Sequence, residues 1–381
     1  MILSRRLALG LAGAALAVPV ARASNPASHP AVALACGAAL PFSGGAALQG
    51  SEVWRGILLA ADAVNGDGGI AGKPVVLAQA DMPVPADVTA AVNGLITGSH
   101  ANVMFGSGDS ALSLPASAAA ELAQVPFIEL TAPADGICTR GFKYLLRTGP
   151  STQMAAALAV ATLQARFAGR NLGLLYNTGV TGAAFAAALN AALAVAKLPV
   201  TLAIGYPEGV EDLHDEAGRL MRAKVDVLIH AAGMDDVLGL ALAAKAQGWQ
   251  PGALLGYGAG YAYRESAAAL PGGLAEAYVI AAPFYPDQAA AVRAAYQARF
   301  GTMPRSPDSL TAYAGAKLVF DTLGGVDGDA AKLLAALRQA NLQPGSLANG
   351  FGVKFDRNGQ NTAACVTLQQ WHGGVLAPAQ A

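Results

Sequence analysis

The sequence predicts an α/β protein built from two doubly wound, parallel-sheet lobes. Three observations carry this expectation. Apolar strand-like runs alternate with helical runs through short connections, the pattern of a parallel sheet covered on both faces. The alternation runs to about residue 149 and then restarts at similar length. The 381 residues suffice for two cores, since domains usually take about 100–200 residues each. The last section, from Leu274, has too few strands for a third sheet. It is expected to complete the other two, so the chain crosses between lobes more than once.

In order, Ala31–Leu40 is a buried-strand run and Val53–Val64 a helix. Between them lies a small-residue loop, so a helix N-terminus faces outward from a strand end, where a small molecule can be held. Strand Val75–Gln79, helix Pro85–Thr97, strand Val103–Phe105, helix Leu112–Gln124 and strand Phe127–Leu130 follow. The second series comprises helix Thr152–Phe167, strand Gly173–Tyr176, helix Ala183–Ala196 and strand Val200–Gly205. It continues through helix Leu213–Arg222, strand Val225–Ala231, helix Asp236–Gln247 and strand Ala253–Gly256. The last section reads as strand Ala277–Ala281, helices Pro286–Phe300, Pro307–Leu323 and Asp329–Ala340, and a hairpin formed by Gly350–Gly359 with strand Ala363–Gln370. Its turn Asp356-Arg-Asn-Gly359 suits positive φ. The resulting division is 1–23 as a signal peptide, 30–149 plus 280–345 as lobe 1, and 150–279 plus 346–377 as lobe 2, with a cleft between the lobes.

A net charge of −1 without a run of Lys or Arg argues against nucleic acid and anionic membrane surfaces as partners. Arg5-Arg6, the apolar run Leu7–Val20 and the A-x-A site Ala21–Ala23 describe a secretory signal peptide and hence an exported protein. Ser4-Arg5-Arg6 fits the twin-arginine export pattern in part. Three cysteines permit one disulfide in an exported chain. Cys36 lies in an apolar strand, so Cys138–Cys365 is the expected pair. The five histidines are scattered, and no cysteine–histidine spacing suggests zinc.

Val103-Met-Phe-Gly106-Ser-Gly108-Asp-Ser-Ala111 is G-x-G-x-x-A between strand and helix, and Glu129 ends the next strand where a ribose could be held. It leaves open an exported nicotinamide-dependent oxidoreductase using the Gly106-x-Gly108 loop. Against this, the motif lies three strands in and Pro115 interrupts the following helix. Gly108-Asp-Ser110 resembles an esterase nucleophile block, but no G-x-S-x-G elbow or Asp-x-x-His pairing accompanies it. Asp109 and Ser110 then read as helix caps or ligand contacts, Asp235-Asp236 as a helix cap, and Glu208, Glu211, Asp212, Asp215 and Glu216 as a solvated face. Tyr257 and Tyr261, paired in a glycine-rich loop at a strand end, can wall a pocket or pack.

Over nearly all of the mature chain the sequence resembles the periplasmic substrate-binding proteins of ABC importers, in the branched-chain amino acid and amide-binding group. The motif Pro41-Phe-Ser-Gly…Gln49-Gly-Ser-Glu-Val-Trp-Arg-Gly-Ile-Leu-Leu-Ala…Val64-Asn…Gly68-Gly-Ile-Ala-Gly-Lys-Pro-Val75 carries it. Val125-Pro-Phe-Ile, Arg140–Thr148 and Phe355-Asp-Arg-Asn-Gly follow in the right order. The resemblance implies a type I periplasmic binding fold, two lobes joined by a three-crossing hinge, a small-molecule ligand, permease subunits as partners, a monomer, no cofactor and no catalysis. It places Gln49, Ser110, Thr131 and Ala132 on the first wall of the cleft and Thr181, Gly233, Met234 and Gly258 on the second; Ser43, Ser107, Asp109, Tyr257 and Tyr261 join them as candidate ligand contacts from their positions in loops at strand ends and helix starts. The departures concern the ligand. Amino-acid binders of this group have a second hydroxyl where Pro133 stands, aromatics at Gln49 and Thr181, and an ammonium-holding acid at Gly258. The expected ligand is therefore a small molecule other than a standard α-amino acid, with branched-chain amino acids or amides as the alternative.

Overall fold

The computed structural model describes residues 34–210, 212–270, 274 and 277–380, so the expected signal peptide lies outside the described residues. The first sheet begins at β1 (Leu34–Leu40), whose continuous run of small and apolar residues suits a strand covered on both faces. It is followed by α1 (Ala47–Gly66), β2 (Val75–Asp81), α2 (Val88–Gly98), β3 (Val103–Gly106), α3 (Ser110–Leu122), β4 (Phe127–Glu129) and β5 (Leu145–Arg147). The strands run parallel in the order β2-β1-β3-β4-β5.

The chain then builds a second lobe from α4 (Thr152–Arg166), β6 (Leu172–Asn177), α5 (Val180–Ala196), β7 (Val200–Tyr206), α6 (His214–Arg222), β8 (Val227–Ala231), α7 (Met234–Ala246) and β9 (Ala253–Tyr257). Two short helices, α8 (Ala259–Ala262) and α9 (Arg264–Ala269), lead to β10 (Ala277–Ala281). After β10 it returns with α10 (Ala290–Phe300), α11 (Asp308–Gly324), α12 (Ala330–Gln339), β11 (Asn341–Leu342) and β12 (Val353–Lys354). It crosses once more to β13 (Thr367–His372) and β14 (Val375–Pro378). The second sheet has the order β14-β13-β10-β9-β8-β6-β7, which repeats the first lobe's topology and adds an antiparallel edge hairpin.

Helix α11 packs along α1, and its Val319 and Phe320 join Val53, Ile57, Phe105 and Ile128 in one core. A Cβ on Gly56 would lie 2.2 Å from the Ser309 carbonyl oxygen, so glycine there permits the two helices to approach. The second core gathers Leu174, Phe185, Leu189, Ile229, Leu255 and Ile280 between β-strands and α4 and α5.

Three crossings, near 148–151, 282–289 and 361–366, link the lobes. The first and third are laced together. Arg147, 1% exposed, donates through Nε to Gln360 Oε1, Gln360 Nε2 donates to the Gly149 carbonyl, and Asn361 Nδ2 to that of Thr148. These contacts correct the expected boundary at 345/346: Val353 packs in the first lobe's core and only β13 and β14 join the second sheet. The expected pairing of 350–359 with 363–370 is likewise reduced to Gly352 N donating to the Ala363 carbonyl, beside a Phe355–Asn361 bridge and a Thr362 N bond to the Lys354 carbonyl, because β13 is already engaged by β10 and turns through Gly373-Gly374 into β14. The expected Cys138–Cys365 disulfide is absent and all three cysteines are free thiols. Cys138 is buried in a first-lobe core with Ile137, whereas Cys365 lies half-buried in the approach to β13.

Candidate functional site

In both lobes the strand order reverses beside the first strand, between β1 and β3 and between β6 and β8. Such switch points leave a crevice at the carboxyl ends of the strands. The two crevices form one cleft with two compartments. The inner chamber, about 100 Å³, includes Gln49, Gly108, Thr131, Thr181, Tyr257, Tyr263, Asp308 and Thr311 in its lining. Pro150-Ser151, Ala281-Ala282, Pro307 and Val366 also face it, so every crossing contributes to its wall. The outer mouth, about 630 Å³, shares Gln49, Thr181, Tyr257, Gly258 and Ala259 with the chamber.

Asp308 is the one carboxylate of the chamber, and no Lys, Arg or His lines it among the described residues. Its Oδ2 accepts from the Tyr263 hydroxyl at 2.6 Å. Enclosure by protein pushes its pKa up to about 6; the Tyr263 and Ser306 hydrogen bonds oppose the rise and the Glu52 carboxylate adds to it. Part of Asp308 stays open to the chamber. Two chamber hydroxyls, Thr131 Oγ1 and Thr311 Oγ1, are buried and have no hydrogen-bond partner. Tyr257 closes the boundary with the mouth by stacking on Phe185, 4.1 Å between ring centroids, and burial drives its hydroxyl pKa upward.

The mouth carries Asp109, Glu208, Asp235 and Asp236 and, among the described residues, no cationic side chain. Asp109 caps α3 by accepting from the Ala111 and Leu112 amides at 2.8 and 3.1 Å; burial raises its pKa and these amides pull it down. Asp236 is occupied, accepting from the Gly233 amide and from Asn177 Nδ2, both at 2.7 Å. Glu208 is raised by burial and by the fields of Asp109 and Asp236. It is exposed, as its reading on a solvated face expects, and it also rims the mouth. On one edge of the cleft the lobes touch: Thr181 Oγ1 donates to Ser110 Oγ at 2.9 Å, and Val180 and Ala184 pack on the first lobe.

A family profile described as "Periplasmic binding protein" matches residues 34–375. The chain belongs to the periplasmic binding protein family. A Leu/Ile/Val-binding protein homolog 8 of Brucella suis is 32% identical, over 97% of this chain and 96% of the relative. The branched-chain amino acid transporter substrate-binding protein LivJ of Streptococcus pneumoniae, solved with isoleucine, superposes with a TM-score of 0.79 at 19% identity, covering 90% of this chain and 97% of that one. An ABC transporter solute-binding protein of R. palustris, solved with benzoate, gives 0.76 at 21% identity, covering 92% and 98%. The fold is thus the type I periplasmic binding fold, and family and fold are those of substrate-binding transport proteins.

In this periplasmic binding protein Gln49, Thr131, Thr181 and Tyr257 line the chamber, and Asp109 and Met234 the mouth, as placed from sequence. Five residues do not reach the cleft. Ser43 is exposed and donates to Asp81, which leaves Gly44 and Gly45 on the mouth instead. Ser110 is fully buried and joins Thr181 to the Ala134 amide. Ser107 and Ala132 turn inward to Glu129, which is also fully buried and accepts five hydrogen bonds, from Ser107 N and Oγ, Ser113 Oγ, Thr131 N and Ala132 N. Glu129 therefore holds the cleft loops together and has no free edge for a ribose. Tyr261 is a core residue: its hydroxyl meets His230 Nδ1 at 2.6 Å and its carbonyl accepts from Trp371 Nε1. Tyr263 lines the chamber in its stead.

Gly258 has φ of +99°, and a Cβ there would lie 2.6 Å from the Ala232 carbonyl oxygen. An acid at this position is excluded by the backbone itself. The acid of the inner chamber, Asp308, comes from α11. Asp308 and Thr311 were missed because an Asp opening a helix reads as a dipole partner.

Proposed function

We propose that this protein captures a small molecule between its lobes and delivers it, chemically unchanged, to the membrane subunits of an ABC importer. The observation that carries the reading is a cleft walled by both lobes and by all three crossings, so that occupancy and lobe closure are coupled. The described residues offer no group of three His, Cys, Asp or Glu arranged to hold a metal, and the dinucleotide reading loses its acid to Glu129's internal partners. The periplasmic location accords with the family, the signal peptide remains the basis for export, and the protein is read as acting as a monomer.

The ligand is read as a small molecule other than a standard α-amino acid. Pro133 faces the chamber where amino-acid binders offer a hydroxyl, and no cation is available for a carboxylate. The names of the relatives supply the competing reading, branched-chain amino acids. A thermal-shift screen of the mature protein against amino acids, amides, amines and small carboxylates separates the two, because a ligand at 100 times its Kd stabilises by about 2.7 kcal/mol. Strong stabilisation by leucine or valine excludes the non-amino-acid ligand. Conversion of any stabilising compound into product excludes a purely binding role.

A further inference from the structure

We propose that the inner chamber is the head-group site for a small organic amine that carries no carboxylate, its ammonium seated on Asp308 with Thr311 and Thr131 as further acceptors. This rests on the solute-binding reading and goes beyond it by naming the ligand's charge and the element that reads it.

Charge is the first argument. Chamber and mouth together present five carboxylates, Asp308, Asp109, Glu208, Asp235 and Asp236, and no Lys, Arg or His among the described residues lining them. A ligand carboxylate enclosed here would sit near the like charge of Asp308 with no cation lining the chamber to offset the repulsion. A cation meets the opposite situation at every depth of the cleft.

Unused hydrogen-bonding capacity is the second argument. Thr311 is 3% exposed, faces the chamber, and its Oγ1 has no partner; Thr131, half-buried, also lines the chamber and its buried Oγ1 has no partner either. Buried hydroxyls are normally paired. Asp308 and Thr311 are three apart at the start of α11 and so share one helical face. An alkylammonium offers three N–H donors, and the carboxylate and two hydroxyls are three acceptors. Around them the wall is apolar, from Pro133, Pro150, Tyr257, Ala262, Ile280 and Val366, which suits the carbon chain of an amine.

The test is titration calorimetry on the mature protein with the straight-chain primary amines from methylamine to hexylamine. A matched set of 3-methylbutylamine, 3-methylbutanoate, 3-methylbutanamide and leucine shares one carbon skeleton. The expected result is saturable binding of one or more amines, and of 3-methylbutylamine over its three matched partners. Asp308→Asn should weaken amine binding by about 100-fold and Thr311→Val by roughly tenfold, with circular dichroism confirming that both variants fold. Tighter binding of the carboxylate, the amide or leucine overturns the proposal, as does amine affinity unchanged in Asp308→Asn. Absence of amine binding beside stabilisation by another compound in the wider screen overturns it while leaving the solute-binding reading intact. A screen in which no small molecule stabilises the protein defeats both.

Discussion

Replacing Asp308 by Asn should make the unliganded protein more stable at neutral pH, and by an amount that depends on pH. The folded carboxyl is raised from 3.8 to about 6, chiefly by enclosure, with Glu52 adding repulsion and the Tyr263 and Ser306 hydrogen bonds opposing it. A raised carboxyl binds its proton more tightly when folded. Its protonated form is favoured below the unfolded value, and that advantage is lost as pH rises through the folded value. Two units at about 1.4 kcal/mol each give ~3 kcal/mol as an upper figure, and the side chain's opening to the chamber brings about 2 kcal/mol into range. Asn keeps an oxygen for the Tyr263 hydroxyl and carries no charge. Urea denaturation of both proteins at intervals from pH 4 to pH 7.5 reads the difference directly. The wild type should match or exceed the variant at pH 4, fall behind it through pH 6, and run parallel to it above pH 7. Parallel curves across the whole range would refute a desolvated Asp308.

Glu129→Ala leaves four donors, Ser107 N, Ser113 Oγ, Thr131 N and Ala132 N, without their acceptor, while Ser107 Oγ keeps the Asp109 carbonyl, and should cost at least ~3 kcal/mol in chemical denaturation, with Glu129→Gln less severe; a loss under about 1 kcal/mol would show that these loops do not depend on the carboxylate. Thr181→Val removes the hydrogen bond that joins the lobes at Ser110 and should cost about 1 kcal/mol of the closed form, seen as a larger radius of gyration in solution scattering and ligand affinity weakened up to about tenfold. Unchanged scattering and affinity together would deny that contact a part in closure. His230, enclosed between the Tyr206 and Tyr261 hydroxyls, is lowered by burial from 6.5 to about 3. Its stabilisation is complete above the unfolded value and is lost as pH falls toward 3, by up to ~5 kcal/mol. Its imidazole resonances should therefore stay fixed from pH 8 to 5, and His230→Gln should flatten the acid limb of the stability profile.

Hydrophobic runs separated by short turns made the α/β alternation legible in the sequence. Helix α1 nevertheless begins at Ala47 rather than Val53, because Ala47–Ser51 carry no apolar period. The short α8 and α9 escaped notice among Gly, Ala and Tyr. Cleft positions after the strands, such as Gln49, Thr181 and Tyr257, were readable because topology alone puts them there. Facing was not. Tyr261 and Tyr263 are two residues apart, and only the turn of α8 sends one to His230 and the other to Asp308. Asp308 and Thr311 reach the cleft on a helix that belongs to the first lobe's core and follows the second crossing, a long-range placement that no local pattern announces. Ser107 and Ser110 show the converse. They stand in the right loop, yet buried partners claim their hydroxyls.

The inner chamber touches all three crossings. In the proposed closure it therefore lies beside the axis about which one lobe would turn against the other, where a rotation produces little displacement. The mouth, farther out on the lever arm, is swept through a much longer arc by the same angle. Asp308, Thr311 and the crossing residues should then hold nearly the same mutual distances in open and closed protein, while Asp109, Glu208 and Met234 separate. A ligand would meet its head-group contacts before the lobes move and its mouth contacts only afterwards. Selection by charge would come first in time, and selection by length and shape second, during closure.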